Sequence, residues 1–188
     1  MIEGLGGLNT LRERDDFYET PPLEVENILK LEKLDGSILE NSCGRGSISN
    51  VLKKHYPDNN IISTDLIDRG FGECGLDFLS DEYKYTNVDN VVMNPPFKLL
   101  NRFIEKSIHI ANKKVIMLGR IQVLETKGRY EIFKNNPPSR VYVYVDRISC
   151  FKGGVTKGQN AMCYAWYVWD FTSEEKVTEL KWIRRAGV

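Results

Sequence analysis

The sequence predicts an α/β domain: a doubly wound, mostly parallel sheet with helices on both faces, closed by an antiparallel last strand. Three observations point there. Ser37-Ile38-Leu39 is a short apolar run, followed by glycines at 44 and 46 and then by Ile48, Val51 and Leu52 at helical spacing. Strand, glycine turn, helix is the order of a parallel crossover. Val91-Val92-Met93 and Val115-Ile116-Met117-Leu118 are apolar at every position, as strands covered on both faces require. Between those two runs, Leu99, Phe103, Ile104, Ile108 and Ala111 recur on one side of a helix predicted over 98–111.

The elements follow in order. Residues 1–15 read as an N-terminal extension of a single 188-residue domain. Thr20-Pro21-Pro22 opens an amphipathic helix carrying Leu23, Val25, Ile28, Leu29 and Leu31, with Thr20 as N-cap and proline just inside. Ile61-Ile62-Ser63-Thr64 is the second strand and ends at Asp65. A third short segment is Gly75-Leu76-Asp77-Phe78-Leu79. Beyond the central helix and strand, 127–134 reads as a short helix stopped by Asn135-Asn136-Pro137-Pro138. Val141 to Val145 and Met162 to Trp169 are rich in strong β-formers. The stretch between them, 148–161, carries Lys152, Lys157 and three glycines and reads as a basic loop near the substrate side, or as a solvated hairpin connection.

Composition narrows the function. No apolar run is long enough to span a membrane and no secretory signal is visible. Cys43, Cys74, Cys150 and Cys163 are scattered, which argues against zinc and against a disulfide framework and fits reduced thiols in a cytoplasm. His55 and His109 are isolated, and no metal-ligand or Ser-His-Asp constellation appears. Net charge is zero, but residues 1–95 hold 9 Lys/Arg against 18 Asp/Glu while residues 96–188 hold 17 against 8. Such asymmetry points to a polyanion on the basic half.

The chemistry concentrates in Asn94-Pro95-Pro96-Phe97, at the end of a buried strand. Asn94 offers a side-chain oxygen, the prolines stiffen the turn and free its carbonyls, and Phe97 offers a flat apolar face. Two acceptors and a ring suit the edge and face of a planar, amino-bearing base. Upstream, the glycine turn lets a ligand approach the backbone. Asp65, at the tip of the second strand, is placed to accept from a ribose. Asp77 suits an adenine amine, and Phe78 suits packing against its ring.

Taken together, Phe17-Tyr18-x-Thr20-Pro21, Ile38 through Gly46 (ILENSCGRG), Thr64-Asp65, Asp77-Phe78 and Asn94 to Phe97 resemble the amino-methyltransferases that methylate adenine in DNA, most of all the small phage and prophage versions. The resemblance runs from Asp16 to Asp170. It implies S-adenosylmethionine as cofactor, held by Tyr18, Thr20, Glu40, Cys43, Gly44, Gly46, Asp65, Asp77, Phe78 and Asn94. It implies catalysis by Asn94, Pro95, Pro96 and Phe97 on duplex or single-stranded DNA, in the cytoplasm of a bacterial or phage-infected cell. Two departures matter. Asn41 stands where many members have proline, and the chain has no room for a separate target-recognition domain. Lys127, Arg129, Lys152 and Lys157 are the expected phosphate contacts. Methylation of cytosine, of an RNA adenine or of a protein glutamine stays open, as does a silent cofactor- or DNA-binding module.

Overall fold

The computed structural model describes residues 17–125, 127–148, 163–174 and 177–185. Eight strands form one sheet in the order β3-β2-β1-β4-β5-β7-β6-β8. They are β1 (Ile38–Glu40), β2 (Ile61–Asp65), β3 (Glu73–Cys74), β4 (Val88–Met93), β5 (Ala111–Arg120), β6 (Arg140–Tyr144), β7 (Tyr164–Asp170) and β8 (Glu179–Ile183). The helices are α1 (Pro22–Leu31), α2 (Ser47–His55), α3 (Leu100–Ile110) and α4 (Tyr130–Asn135). β1 pairs in parallel with β2 and β4, and β4 in parallel with β5. β7 runs antiparallel to both β5 and β6, as expected for the strand read over Met162 to Trp169, although it is not the last strand of the sheet. A further strand, β8, follows it and pairs in parallel with β6 at the sheet edge.

The sheet divides two cores, as its alternating side chains dictate. On one face Ile38, Val92, Ile116 and Leu118 meet Val25, Ile28 and Leu29 of α1 and Ile48, Val51 and Leu52 of α2. On the other, Leu39, Val91, Val115 and Met117 meet Leu100, Phe103 and Ile104 of α3. β5 is longer than the apolar run suggests, because Ala111, Asn112, Lys113 and Lys114 extend it before the buried segment begins.

One expectation is corrected at α1. The N-cap is Pro21, whose carbonyl accepts from the Glu24 N–H at 3.0 Å, and the helix has no side-chain cap. Thr20 is 2% exposed, and its hydroxyl accepts instead from Asn94, described below.

Opposite the strands' carboxyl ends lies a buried ionic cluster. Glu32, just past α1, accepts from Arg140 Nη2 at 3.0 Å, Lys114 Nζ at 2.9 Å and the Tyr142 hydroxyl at 2.8 Å, and it also bonds Arg140 Nε. Arg140 Nη2 reaches on to Asp170 Oδ2 at 2.6 Å. The cluster thus ties α1 to β5, β6 and β7. Among the described residues no helix is long and apolar enough to cross a membrane.

Candidate active site

The strand order reverses direction between β1 and β4, and the carboxyl ends flanking such a switch point form a crevice. A cavity of about 400 Å³ occupies it. β1 delivers Glu40, Cys43 and Gly44, β2 delivers Asp65, the turn after β3 delivers Asp77 and Phe78, and β4 delivers Asn94 and Pro96. Tyr18 and Thr20 close it from the N-terminal side. Most of the expected site therefore comes together from five separate chain segments.

Asn94 is held through its side-chain amide. Its Nδ2 donates to the Tyr18 carbonyl at 2.9 Å and to Thr20 Oγ1 at 3.1 Å. A backbone carbonyl only accepts, so the amide group facing Tyr18 must be the NH₂. That fixes the amide orientation and leaves Oδ1 as an acceptor with no donor among the described residues. The Ser42 hydroxyl, at 3.3 Å, bonds the Asn94 carbonyl and ties the turn after β1 to the turn after β4. Pro96 holds φ −61° and ψ 128°, and its carbonyl accepts from the Leu99 N–H at 3.0 Å, opening the short 3-10 turn Phe97–Leu99.

The glycine turn is held by an acid. Asp65 Oδ2 accepts from the Gly44 N–H at 2.8 Å, while Oδ1 accepts from Ile67 N–H at 2.9 Å and pairs with Arg69 at 3.4 Å. Gly44 has φ +55°, and a Cβ there would run into the Phe17 ring. Phe17 in turn lies under the Arg69 guanidinium, 4.4 Å from its centroid. Gly44→Ala is therefore expected to cost about 1–2 kcal/mol in backbone strain alone and to displace Phe17. Because Phe17 lines the cavity, titration calorimetry with S-adenosylmethionine should find binding weakened in the folded variant; native affinity would remove the turn from the site.

Gly46 has a different task from the one expected. It does not line the cavity; its φ of +85° starts α2, and a side chain there would strike Phe71. Asp77 lines the cavity with Oδ1 bonded to the Leu79 N–H at 2.9 Å, a turn contact that leaves Oδ2 available. Phe78 is 2% exposed and packs against Tyr83 and Phe103, so it supports the cavity wall from the core. Burial pushes the Cys43 thiol up to about 12, which makes it an inert, neutral wall group.

Glu40 is fully buried beside the cavity. Burial pushes its carboxyl up to about 8, against the opposing hydrogen bond from Ser49. Ser49 continues to Ser63 at 2.6 Å. The unfolded group titrates near 4.5, so the folded chain keeps a proton that the unfolded chain releases between about pH 4.5 and 8. The stability this confers is fully present below 4.5 and declines as pH rises to about 8. Thermal melts at pH 5 and pH 8 should show this decline in the native chain and a smaller one in Glu40→Gln. An identical slope in both would assign the proton elsewhere.

Phe97 and Pro95 do not line the cavity. Phe97 stands beyond Asn94 and Pro96, with its ring centroid 5.7 Å from that of Tyr18 and 4.4 Å from the Arg120 guanidinium carbon. Arg129 donates to the carbonyls of Val123 and Gln122 and to Asn101 Oδ1, so it clamps the segment after β5 to α3. This makes a framework residue of one expected phosphate contact. Lys127 is exposed in a separate shallow depression with Tyr130 and Lys134. Lys152 and Lys157 lie outside the described residues. Lys98 and Arg69, which no sequence motif marks, also line the cavity, as does Phe17 of the N-terminal motif. Lys98 follows Phe97 directly, and that adjacency was the available signal.

No protein-family model matches the sequence, and no curated protein matches it. Solved structures do match the fold. A protein of Agrobacterium tumefaciens described as a predicted O-methyltransferase superposes with a TM-score of 0.58 at 13% identity, covering 88% of this chain and 86% of that one. A precorrin-6y C5,15-methyltransferase from Geobacter metallireducens gives 0.57 at 15% identity over 84% of this chain and 96% of that one. An S-adenosylmethionine-dependent O-methyltransferase from Thermotoga maritima gives 0.56 at 13% identity over 85% and 69%. At these identities the likeness establishes the fold, which is a class I methyltransferase-like α/β sheet.

Proposed function

We propose that this protein transfers a methyl group from S-adenosylmethionine to the exocyclic amine of adenine in DNA. The observation that carries the reading is the clamped Asn94 amide, whose Nδ2 is committed to Tyr18 and Thr20 and whose Oδ1 is left to accept. An aromatic amine is a poor nucleophile because its lone pair is delocalised into the ring. Asn94 Oδ1 and the Pro95 carbonyl accept its two hydrogens and favour a tetrahedral nitrogen whose lone pair is localised. Because the amide is already fixed by Tyr18 and Thr20, this acceptor needs no reorganisation during the reaction.

The cavity suits the cofactor by size and by charge. Its volume of about 400 Å³ lies in the range of small-molecule sites. Its charged lining is Glu19, Asp65 and Asp77 against Arg69 and Lys98, with Glu40 protonated, which suits a ligand carrying a sulfonium and an ammonium better than a polyphosphate. When bound, S-adenosylmethionine supplies an electrophilic methyl group on sulfur. Asp65 keeps lone pairs for ribose hydroxyls while it pins Gly44, and Asp77 Oδ2 remains for an adenine amine. Phe97 stacks on the target base once that base has left the helix, which offsets part of the few kcal/mol that flipping costs. The methyltransferase names of the structural neighbours support methyl transfer as the reaction class. The basic second half of the chain supports a polyanionic substrate.

The test is incubation with labelled S-adenosylmethionine and separate DNA, RNA and protein pools. Label on the adenine amine of DNA is the expected result. Label confined to cytosine, RNA or protein would overturn the substrate, and label in no pool would overturn the reaction.

A further inference from the structure

Arg120 ends β5 at the carboxyl edge of the sheet, beside the Asn94 turn. Its guanidinium carbon lies 4.4 Å from the Phe97 ring centroid. Its Nε is buried with no hydrogen-bond partner among the described residues. Neither Arg120 nor Phe97 lines the cofactor cavity, whereas Asn94 and Pro96 do. Arg120 and Phe97 thus stand outside the cavity that Asn94 and Pro96 line.

A guanidinium that covers an aromatic ring uses its face and leaves its planar fork of N–H groups for acceptors. The sealed Nε is out of reach of an incoming ligand, and the two terminal Nη groups, which make no hydrogen bond among the described residues, are the donors an acceptor can meet. The fork matches a partner with two adjacent acceptors. Adenine offers none, because its N1 and N7 acceptors are separated by the amine and its N3 acceptor lies on the opposite edge. A phosphodiester offers two equivalent oxygens.

We propose that Arg120 anchors the phosphate flanking the target adenine, using Phe97 as the platform that holds its fork. This inference rests on the DNA-adenine reading above. One face of Phe97 serves Arg120, and the stacking proposed above uses the part of the ring that Arg120 and Tyr18 leave uncovered. Arg120 is then a substrate-anchoring residue that fixes the backbone of the extruded nucleotide while Asn94 engages its amine.

The experiment combines a variant with a modified substrate. Arg120→Met preserves side-chain length and removes the fork. It should raise the KM for DNA about 10- to 100-fold, lower the slope of log KM against log salt by about one, and leave cofactor affinity and the melting midpoint close to native. Oligonucleotides carrying a single neutral methylphosphonate, scanned across the site, should reproduce the loss for the native chain at one position next to the target adenine. At that position Arg120→Met should lose nothing further. A flat methylphosphonate scan with the native chain overturns the proposal even if the variant fails to fold. So does an Arg120→Met variant whose effect is altered base preference with an unchanged salt slope. A native chain that methylates no DNA overturns both this inference and the function on which it rests; a native chain active on DNA with a flat scan overturns this inference alone.

Discussion

Replacing Asn94 by alanine is expected to reduce methyl transfer by about 10²- to 10³-fold, the typical loss when one preorganised polar group at a reacting centre is removed. The substitution removes the acceptor Oδ1 and also frees Tyr18 and Thr20, which the Asn94 NH₂ holds at 2.9 and 3.1 Å. The loss should fall mainly on kcat, with cofactor affinity changed far less, because Asn94 is one of many groups around the cavity. Thr20→Val separates the two contributions. It deletes one of the two acceptors that hold the amide, so the amide is less well fixed while Oδ1 is still present. A smaller drop in kcat is expected, measured as single-turnover transfer to an adenine-containing oligonucleotide. Full turnover by Asn94→Ala would sink the mechanism.

The second large effect concerns stability. Glu32→Ala should destabilise the protein by about 3–5 kcal/mol, the range for breaking a buried ion pair from one side. Glu32 is 3% exposed at its side chain, and its removal leaves Arg140 and Lys114, which are 17% and 15% exposed, to share Asp170 as their remaining counter-charge. Burial alone would raise the Glu32 carboxyl, but the hydrogen bonds from Arg140, Lys114 and Tyr142 outweigh it and hold the carboxyl below its ordinary value. Asp170 is likewise buried, and its bonds from Thr172 and Arg140 hold it at about 2. Groups lowered in this way stabilise the fold above their unfolded values of 4.5 and 3.8, and the contribution is lost as pH falls through their lowered folded values, about 2 for Asp170. Denaturant melts at pH 7 and pH 3 should therefore show a large gap between native and Glu32→Ala at pH 7 and a narrower one at pH 3. Glu40 acts with the opposite sign, so the two effects together confine maximal stability to mildly acidic conditions.

Much of this architecture is legible in the sequence because burial and turn chemistry leave direct marks. Val91-Val92-Met93 is apolar at all three positions and is fully buried in β4. The turn at Gly44 needs a positive φ, and only glycine adopts that readily. What escapes are features whose meaning depends on distant partners. Thr20 before two prolines has the local pattern of a helix cap, yet its hydroxyl is taken by Asn94, 74 positions later. Gly46 shares a turn with Gly44, but the neighbour that excludes a side chain there is Phe71, not a ligand. Arg129 resembles any surface cation in the sequence, and only the fold brings the carbonyls of Gln122 and Val123 to it. β8 leaves Leu180 and Trp182 52% and 67% exposed, so its place is set by backbone pairing with β6 rather than by burial.

The position of β7 has a consequence for how the protein is made. Trp166, Tyr167 and Trp169 are at most 1% exposed, and their strand fills the gap between β5 and β6. Those residues leave the ribosome late, after every strand but β8. Until they emerge, the nascent chain holds β5 with an open edge and β6 with no neighbour to pair with, a state prone to association with other chains. Folding must therefore wait for contacts between segments far apart in sequence, which slows it. The protein is expected to depend on chaperone protection during synthesis, and a chain that stops before residue 164 should yield aggregates rather than a smaller working enzyme.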